Sequence, residues 1–195
     1  MANANTKGFG LIAAGTIGST PATSGQGKYY IDAAMGVDLF QGSAVKSSAG
    51  YIVTAQAAIT NTCIGVLNGI FYNAATTQKP TWANWYNQPI TPANSEDITA
   101  FVLDNPKQLF IGATDIAAAQ ALYGKTVGLT VGAAGSELSG QSSSTITIGT
   151  NHNTNNQWRL VRSAEDPSND VSAPFRSVVV AHNLNQYFTG AVTWA

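Results

Sequence analysis

Cysteine occurs once in these 195 residues, at Cys63, so no disulfide can form within the chain. Charge is nearly as scarce. Asp, Glu, Lys and Arg together make up 10% of the sequence, against roughly 25% in an average domain. The formal net charge is -1 and no run of Lys or Arg occurs. The electrostatic footprint of a nucleic-acid binder is therefore missing, as is that of a protein drawn to an anionic membrane surface. No apolar run approaches the ~20 residues that cross a bilayer as a helix. Residues 1–10 carry neither the basic nor the apolar segment of a secretory signal, so none is expected.

Apolar residues are present at an ordinary 44%, and Ser, Thr, Asn, Gln and Gly stand where charges would normally be. That balance disfavours intrinsic disorder, which goes with low hydrophobicity and high net charge. It suits a rigid protein with a neutral surface that partners cover in part, because such a surface is a solubility liability on a monomer. Cys63 lies in the apolar run Cys63-Ile64-Gly65-Val66-Leu67. It is expected to be a small buried hydrophobe in a protein made in a reducing cytoplasm.

Residues 1–27 are rich in Ala, Asn, Thr, Gly and Ser, with one short apolar patch that starts at Leu11 and Ile12. No amphipathic period runs through them. They read either as a tail without order or as an extended arm that orders on a neighbouring subunit. Fully stretched, such an arm reaches about 80 Å at roughly 3.3 Å per residue. Residues 28–195 read as one β-rich domain. Short β-type runs alternate there with turn residues, at 28–31, 51–54, 64–72, 99–103, 109–111, 127–131, 144–148, 158–161 and 177–181. Many short strands of this kind predict an all-β sandwich or barrel. Residues 144–148 alternate polar and apolar, as in a strand with one wet face. Val178-Val179-Val180 is continuous, as in a strand covered on both faces. Asn68-Gly69 can be a hairpin turn, but a continuous strand over 64–72 is preferred.

One short helix is expected over residues 114–123, capped by Thr114 or Asp115 and stopped by Gly124. At about two turns it needs to dock on the sheet to persist. Residues 76–97 are unusual. They hold Pro80, Pro89 and Pro92 beside Trp82, Trp85 and Tyr86. The prolines exclude a central strand. The three aromatics either fold back over the domain's own core or anchor a partner, since Trp and Tyr bury much area with few rotors. Trp82, Trp85, Tyr86, Leu11 and Ile12 are the candidate interface residues.

Candidates for chemistry are few. One Cys and two distant His, His152 and His182, do not make a four-ligand zinc site. His152 sits among Asn residues and reads as part of an exposed loop. No nucleophile elbow, phosphate loop, zincin or Cys-x-x-Cys motif occurs, and Gly15, Gly18 and Gly25 lack phosphate-loop spacing. Glu96 and Asp97 are adjacent, so on a strand they would face opposite ways, a poor acid–base couple. Asp166, Asn169 and Asp170 form a turn by composition; the alternative is a calcium ion held through their oxygens, without the spacing of an EF-hand loop. No cofactor, metal or catalytic residue is expected, and the chain is not expected to be an enzyme.

The order of short motifs resembles the capsid cement or decoration proteins of tailed phages, in particular T7-like phages of marine and freshwater bacteria, the cyanophage type. Gly42 to Lys46 followed by Gly50-Tyr51-Ile52-Val53 is similar to one segment of that family, and Ile64 to Tyr72 followed by Lys79-Pro80-Thr81-Trp82 to the next. Ile98 to Pro106 with Leu109-Phe110 resembles a third, with Asn105 where a second Asp is usual. Arg159-Leu160-Val161-Arg162, Asn169-Asp170, Val178-Val179-Val180 and Asn183-Leu184-Asn185 complete the series. The resemblance covers roughly residues 40–190 and leaves residues 1–27 outside. It implies an all-β domain on the outer surface of a virion, in a homotrimer, with the major capsid protein as partner. The competing reading is a carbohydrate-binding β-domain of a phage adsorption apparatus, with Trp82, Trp85 and Tyr86 as the sugar platform.

Overall fold

The computed structural model describes residues 3, 5–18, 25–55, 62–130, 135–149, 152 and 156–187. Its strands are β1 (Ile12–Thr16), β2 (Gly27–Ile31), β3 (Ala44–Ser48), β4 (Tyr51–Thr54), β5 (Gly65–Asn73), β6 (Pro80–Ala83), β7 (Ile98–Leu103), β8 (Gln108–Ala113), β9 (Thr126–Thr130), β10 (Gly135–Ser136), β11 (Gln141–Ser142), β12 (Thr145–Thr147), β13 (Trp158–Ser163) and β14 (Ser177–His182). One sheet runs β1-β8-β14-β13-β9-β12. The other runs β2-β7-β5-β3-β4, with β6 paired to the far end of β5 beyond β3. β10 and β11 form a small ribbon. All strand pairs are antiparallel, and the domain is all-β and sandwich-like.

Strand parity sorts the apolar residues into two cores. Phe110, Val127, Leu129, Ile146, Trp158, Leu160, Val178 and Val180 point from the first sheet into one core, where Ala44, Val66 and Leu103 of the second sheet meet them. The neighbouring positions Val45, Leu67 and Val102 face the opposite way, into a second core with Ile31, Ile52, Ile70, Ile98 and Ala100. That core is enclosed because the second sheet curls until β2 packs on β4. Leu39 and Tyr86 close it. At roughly 25 cal/mol per Å² of apolar surface, these buried side chains supply the main drive to fold.

β14 is buried at all six positions, between β8 and β13, as the Val178–Val180 run demands. β12 alternates buried Ile146 with half-buried Thr145 and Thr147. β5 is continuous, and a bulge between Leu67 and Gly69 absorbs the Asn-Gly pair.

Two expectations are corrected. No α-helix forms over residues 114–123; one turn of 3-10 helix spans Gln120–Leu122. Ala119 is extended, and the Ala118 carbonyl accepts from Arg176 instead of from an amide one turn on. Asp115 Oδ1 accepts from the Ile116 and Ile148 amides, which ties the segment to the strand β12. A two-turn helix is too weak to resist such long-range bonds.

The second correction concerns residues 1–27, of which 1, 2, 4 and 19–24 lie outside the described residues. The rest does not stand apart as an arm. β1 pairs with β8 in the first sheet, and Leu11 is buried in its core. The Asn3 amide donates to the carbonyls of Asp170, Ala173 and Pro174, and its oxygen accepts from the Asp170 amide. The pairing with β8 supplies order that the local sequence could not.

Candidate functional site

The outer face of the second sheet carries a row of aromatic side chains. Tyr30, Thr99, Phe71 and Trp82 stand side by side on β2, β7, β5 and β6. In the next row, Lys28, Phe101 and Gly69 are in register. At about 4.8 Å between strands, the four-strand row spans about 14 Å. Tyr30 is 50% exposed, Phe71 37% and Trp82 53%. Trp82 lies across Gly69 and meets Phe101, with ring centroids 5.0 Å apart and planes at 46°. A Cβ on Gly69 would sit 2.5 Å from Trp82 Cζ2, so only glycine lets the indole lie flat there. The face is held rigid from below, because Tyr30, Phe71 and Phe101 alternate in their strands with the buried residues Ile31, Ile70, Ala100 and Val102, and Trp82 stands next to Ala83, which packs against the same core. Lys28 is the one charged residue in these two rows.

The structure divides the five residues expected at an interface. Trp82 belongs to the aromatic face. Trp85 stacks on Phe40, centroids 4.9 Å apart and planes 8° apart, against the turn that joins β10 to β11. Tyr86 is fully buried, and its hydroxyl donates to the carbonyls of Ala33 and Met35, 3.1 Å from each. Burial, the largest influence on it, raises the pKa of that phenol. Trp82, Trp85 and Tyr86 therefore form no common platform. Leu11 is core, while its neighbour Ile12 points outward and is 48% exposed beside Ile111. Both line a shallow cavity of about 300 Å³ with Gln41 and Asn68, whose side chains bond each other at 3.1 Å. Tyr30, Phe71 and Phe101 were not singled out from sequence. Their signal was available: each sits at the outward parity of its strand, next to a buried aliphatic residue, Ile31, Ile70 or Val102.

The remaining polar candidates serve the fold. Cys63 and His182 are both fully buried, with Sγ 3.6 Å from Nδ1. Burial pushes the thiol up to about 12 and the imidazole down to about 4, so both are neutral. His182 packs on Trp158, centroids 4.4 Å apart, and edge-on to Phe110 at 5.7 Å. His152 is half-buried against the Thr126 carbonyl, 2.9 Å from Nδ1, and not in an exposed loop position. Asp166 and Asp170 each accept from the amide and hydroxyl two residues on, at Ser168 and Ser172, bonds that lower both carboxylates. Asn169 clamps Ser163, Ala164 and Ser177. Among the described residues, no three His, Cys, Asp or Glu gather in a way that could hold a metal ion. No described helix is long and apolar enough to cross a membrane.

Comparison of the chain with known protein families, with curated proteins and with solved structures returns no match.

Proposed function

We propose that this chain is a structural virion protein: it binds the outer surface of a phage capsid, as a homotrimer, and bridges neighbouring copies of the major capsid protein against internal pressure. The observation that carries this reading is the aromatic face of the second sheet. Three half-exposed aromatics on a rigid, nearly uncharged surface are an unusual load for a solitary protein and a natural one for a protein seated on a shell. The ordered motif resemblance supports the same reading. The chain would be made in the bacterial cytoplasm, where a lone buried thiol needs no oxidation.

The test is decoration of capsids stripped of this protein. The double variant Phe71→Ala/Trp82→Ala should keep the far-UV circular dichroism of the parent and pellet with capsids at least tenfold less well, since a central aromatic anchor is worth about 2 kcal/mol or more. A folded variant that decorates normally would remove the aromatic face from the interface. Light scattering that finds a monomer at micromolar concentration would remove the trimer.

The aromatic face also favours a second reading, a carbohydrate-binding domain for host adsorption. Quenching of Trp82 fluorescence by oligosaccharides, with no capsid binding, would establish that reading instead.

A further inference from the structure

Arg176 lies in the turn that enters β14 and is 5% exposed. Its Nη1 donates to the Ala118 carbonyl at 2.7 Å and its Nη2 to the Ser163 hydroxyl at 3.0 Å. Its guanidinium carbon stands 5.8 Å from the centroid of the Tyr123 ring. Every one of these partners is neutral. The ion pair formed among the described residues is elsewhere, between exposed Arg162 and Glu165. Asp115, next in the chain to Thr114, turns Oδ1 to the amides of Ile116 and Ile148.

An arginine cannot escape this position by losing its proton, as a lysine or histidine can. It is a permanent charge in the interior, and a buried charge calls for an opposite charge as well as hydrogen bonds. Three buried polar atoms in the same part of the fold have no protein partner: Arg176 Nε, Tyr123 Oη and Thr114 Oγ1. Their residues are neighbours. The Thr114 amide donates to the Arg176 carbonyl at 2.9 Å, and the Tyr123 ring flanks the guanidinium. Nε is a donor only, and both hydroxyls are free to donate. Three unpartnered donors on residues that neighbour one another, one of them carrying a fixed positive charge, suit a ligand that only accepts.

We propose that Arg176, Tyr123 and Thr114 hold a small monovalent inorganic anion of halide size as a structural ligand. With Arg176 5% exposed and Thr114 fully buried, a small free ion fits this place better than a phosphate on a polymer or a carboxylate on another chain. The anion would fasten the irregular segment after β8, where the helix was expected, to the ends of β13 and β14.

Thermal unfolding of the full chain tests this. Sodium gluconate is replaced stepwise by sodium bromide at constant ionic strength. Melting should rise saturably by about 2–5 °C, as ligand binding to the native state requires. The rise should vanish in Thr114→Val/Tyr123→Phe, which keeps the volumes and the charge and removes both hydroxyls. Should the pair not fold, Tyr123→Phe alone should lower the response by at least half. Crystals grown in bromide should show an anomalous peak beside Arg176 Nε. Equal melting in gluconate and bromide, an undiminished response in the folded variant, or no anomalous peak at Nε would each overturn the proposal.

Discussion

His182 should make the fold sensitive to mild acid, and the size of the effect follows from its surroundings. The ring is fully buried between Trp158 and Phe110, and burial holds its pKa down at about 4. In the unfolded chain the same imidazole titrates near 6.5. Between these two values the unfolded state accepts a proton that the native state refuses. Stability is therefore complete above about pH 6.5, declines as the pH falls to about 4, and loses nothing more to this residue below that. At about 1.4 kcal/mol per pH unit, the full decline is about 3 kcal/mol. That is a large share of the 5–15 kcal/mol that typically holds a domain together. The variant His182→Phe keeps a planar ring against Trp158 and cannot titrate. Urea unfolding of both proteins from pH 7.5 to pH 4.5 isolates the effect, because their carboxylates are shared and cancel in the difference. The parent should lose about 2–3 kcal/mol more than the variant over that range. Parallel curves would mean that His182 takes up its proton equally well folded and unfolded, and the burial argument would fail.

Two further substitutions separate core from surface. Tyr86→Ala should destabilise the chain by about 3–5 kcal/mol, since it empties a closed core and strands two carbonyls, whereas Trp82→Ala should change chemical denaturation by under ~1 kcal/mol. Equal effects would refute the division of the aromatic loop. Leu11→Ala should cost the isolated protein about 2–5 kcal/mol, because Leu11 is 2% exposed in the first core. An unchanged urea midpoint would mean that this segment contributes nothing to the free domain.

The parts of the fold that were legible are those where a local pattern and the tertiary demand coincide. Val178–Val180 is apolar throughout because β14 has a neighbour on each edge and cover on each face, and Thr145–Thr147 alternates because β12 has one wet side. The helix expected over 114–123 was a judgement of local propensity. It was overruled by Arg176 and Ile148, which lie 58 and 33 residues away from their partners in this segment. β1 was missed for the converse reason: IAAGT has almost no β character alone and gains its order from β8. The aromatic site was half legible. Composition drew attention to Trp82, Trp85 and Tyr86 as a cluster. Proximity in sequence does not decide which face a side chain takes, and these three went to sheet, loop and core. Parity along β2, β5 and β7 was the better guide to the face that formed.

The strand order also fixes a schedule for synthesis. Every strand of the curled second sheet lies between Gly27 and Leu103, in one uninterrupted stretch of chain. The first sheet recruits its opening strand from residues 12–16, yet its middle place belongs to β14, the last strand of the series. At ~5–20 residues per second, the ribosome needs roughly 4–16 s to travel from Leu103 to His182. During that interval the second sheet, with its aromatic face, can already be complete. β8 and β1 must meanwhile wait with an open edge beside the place that β14 will fill. A nascent chain halted in that window would carry the aromatic face without the first sheet, and its unpaired β8 edge would be the site at which it aggregates.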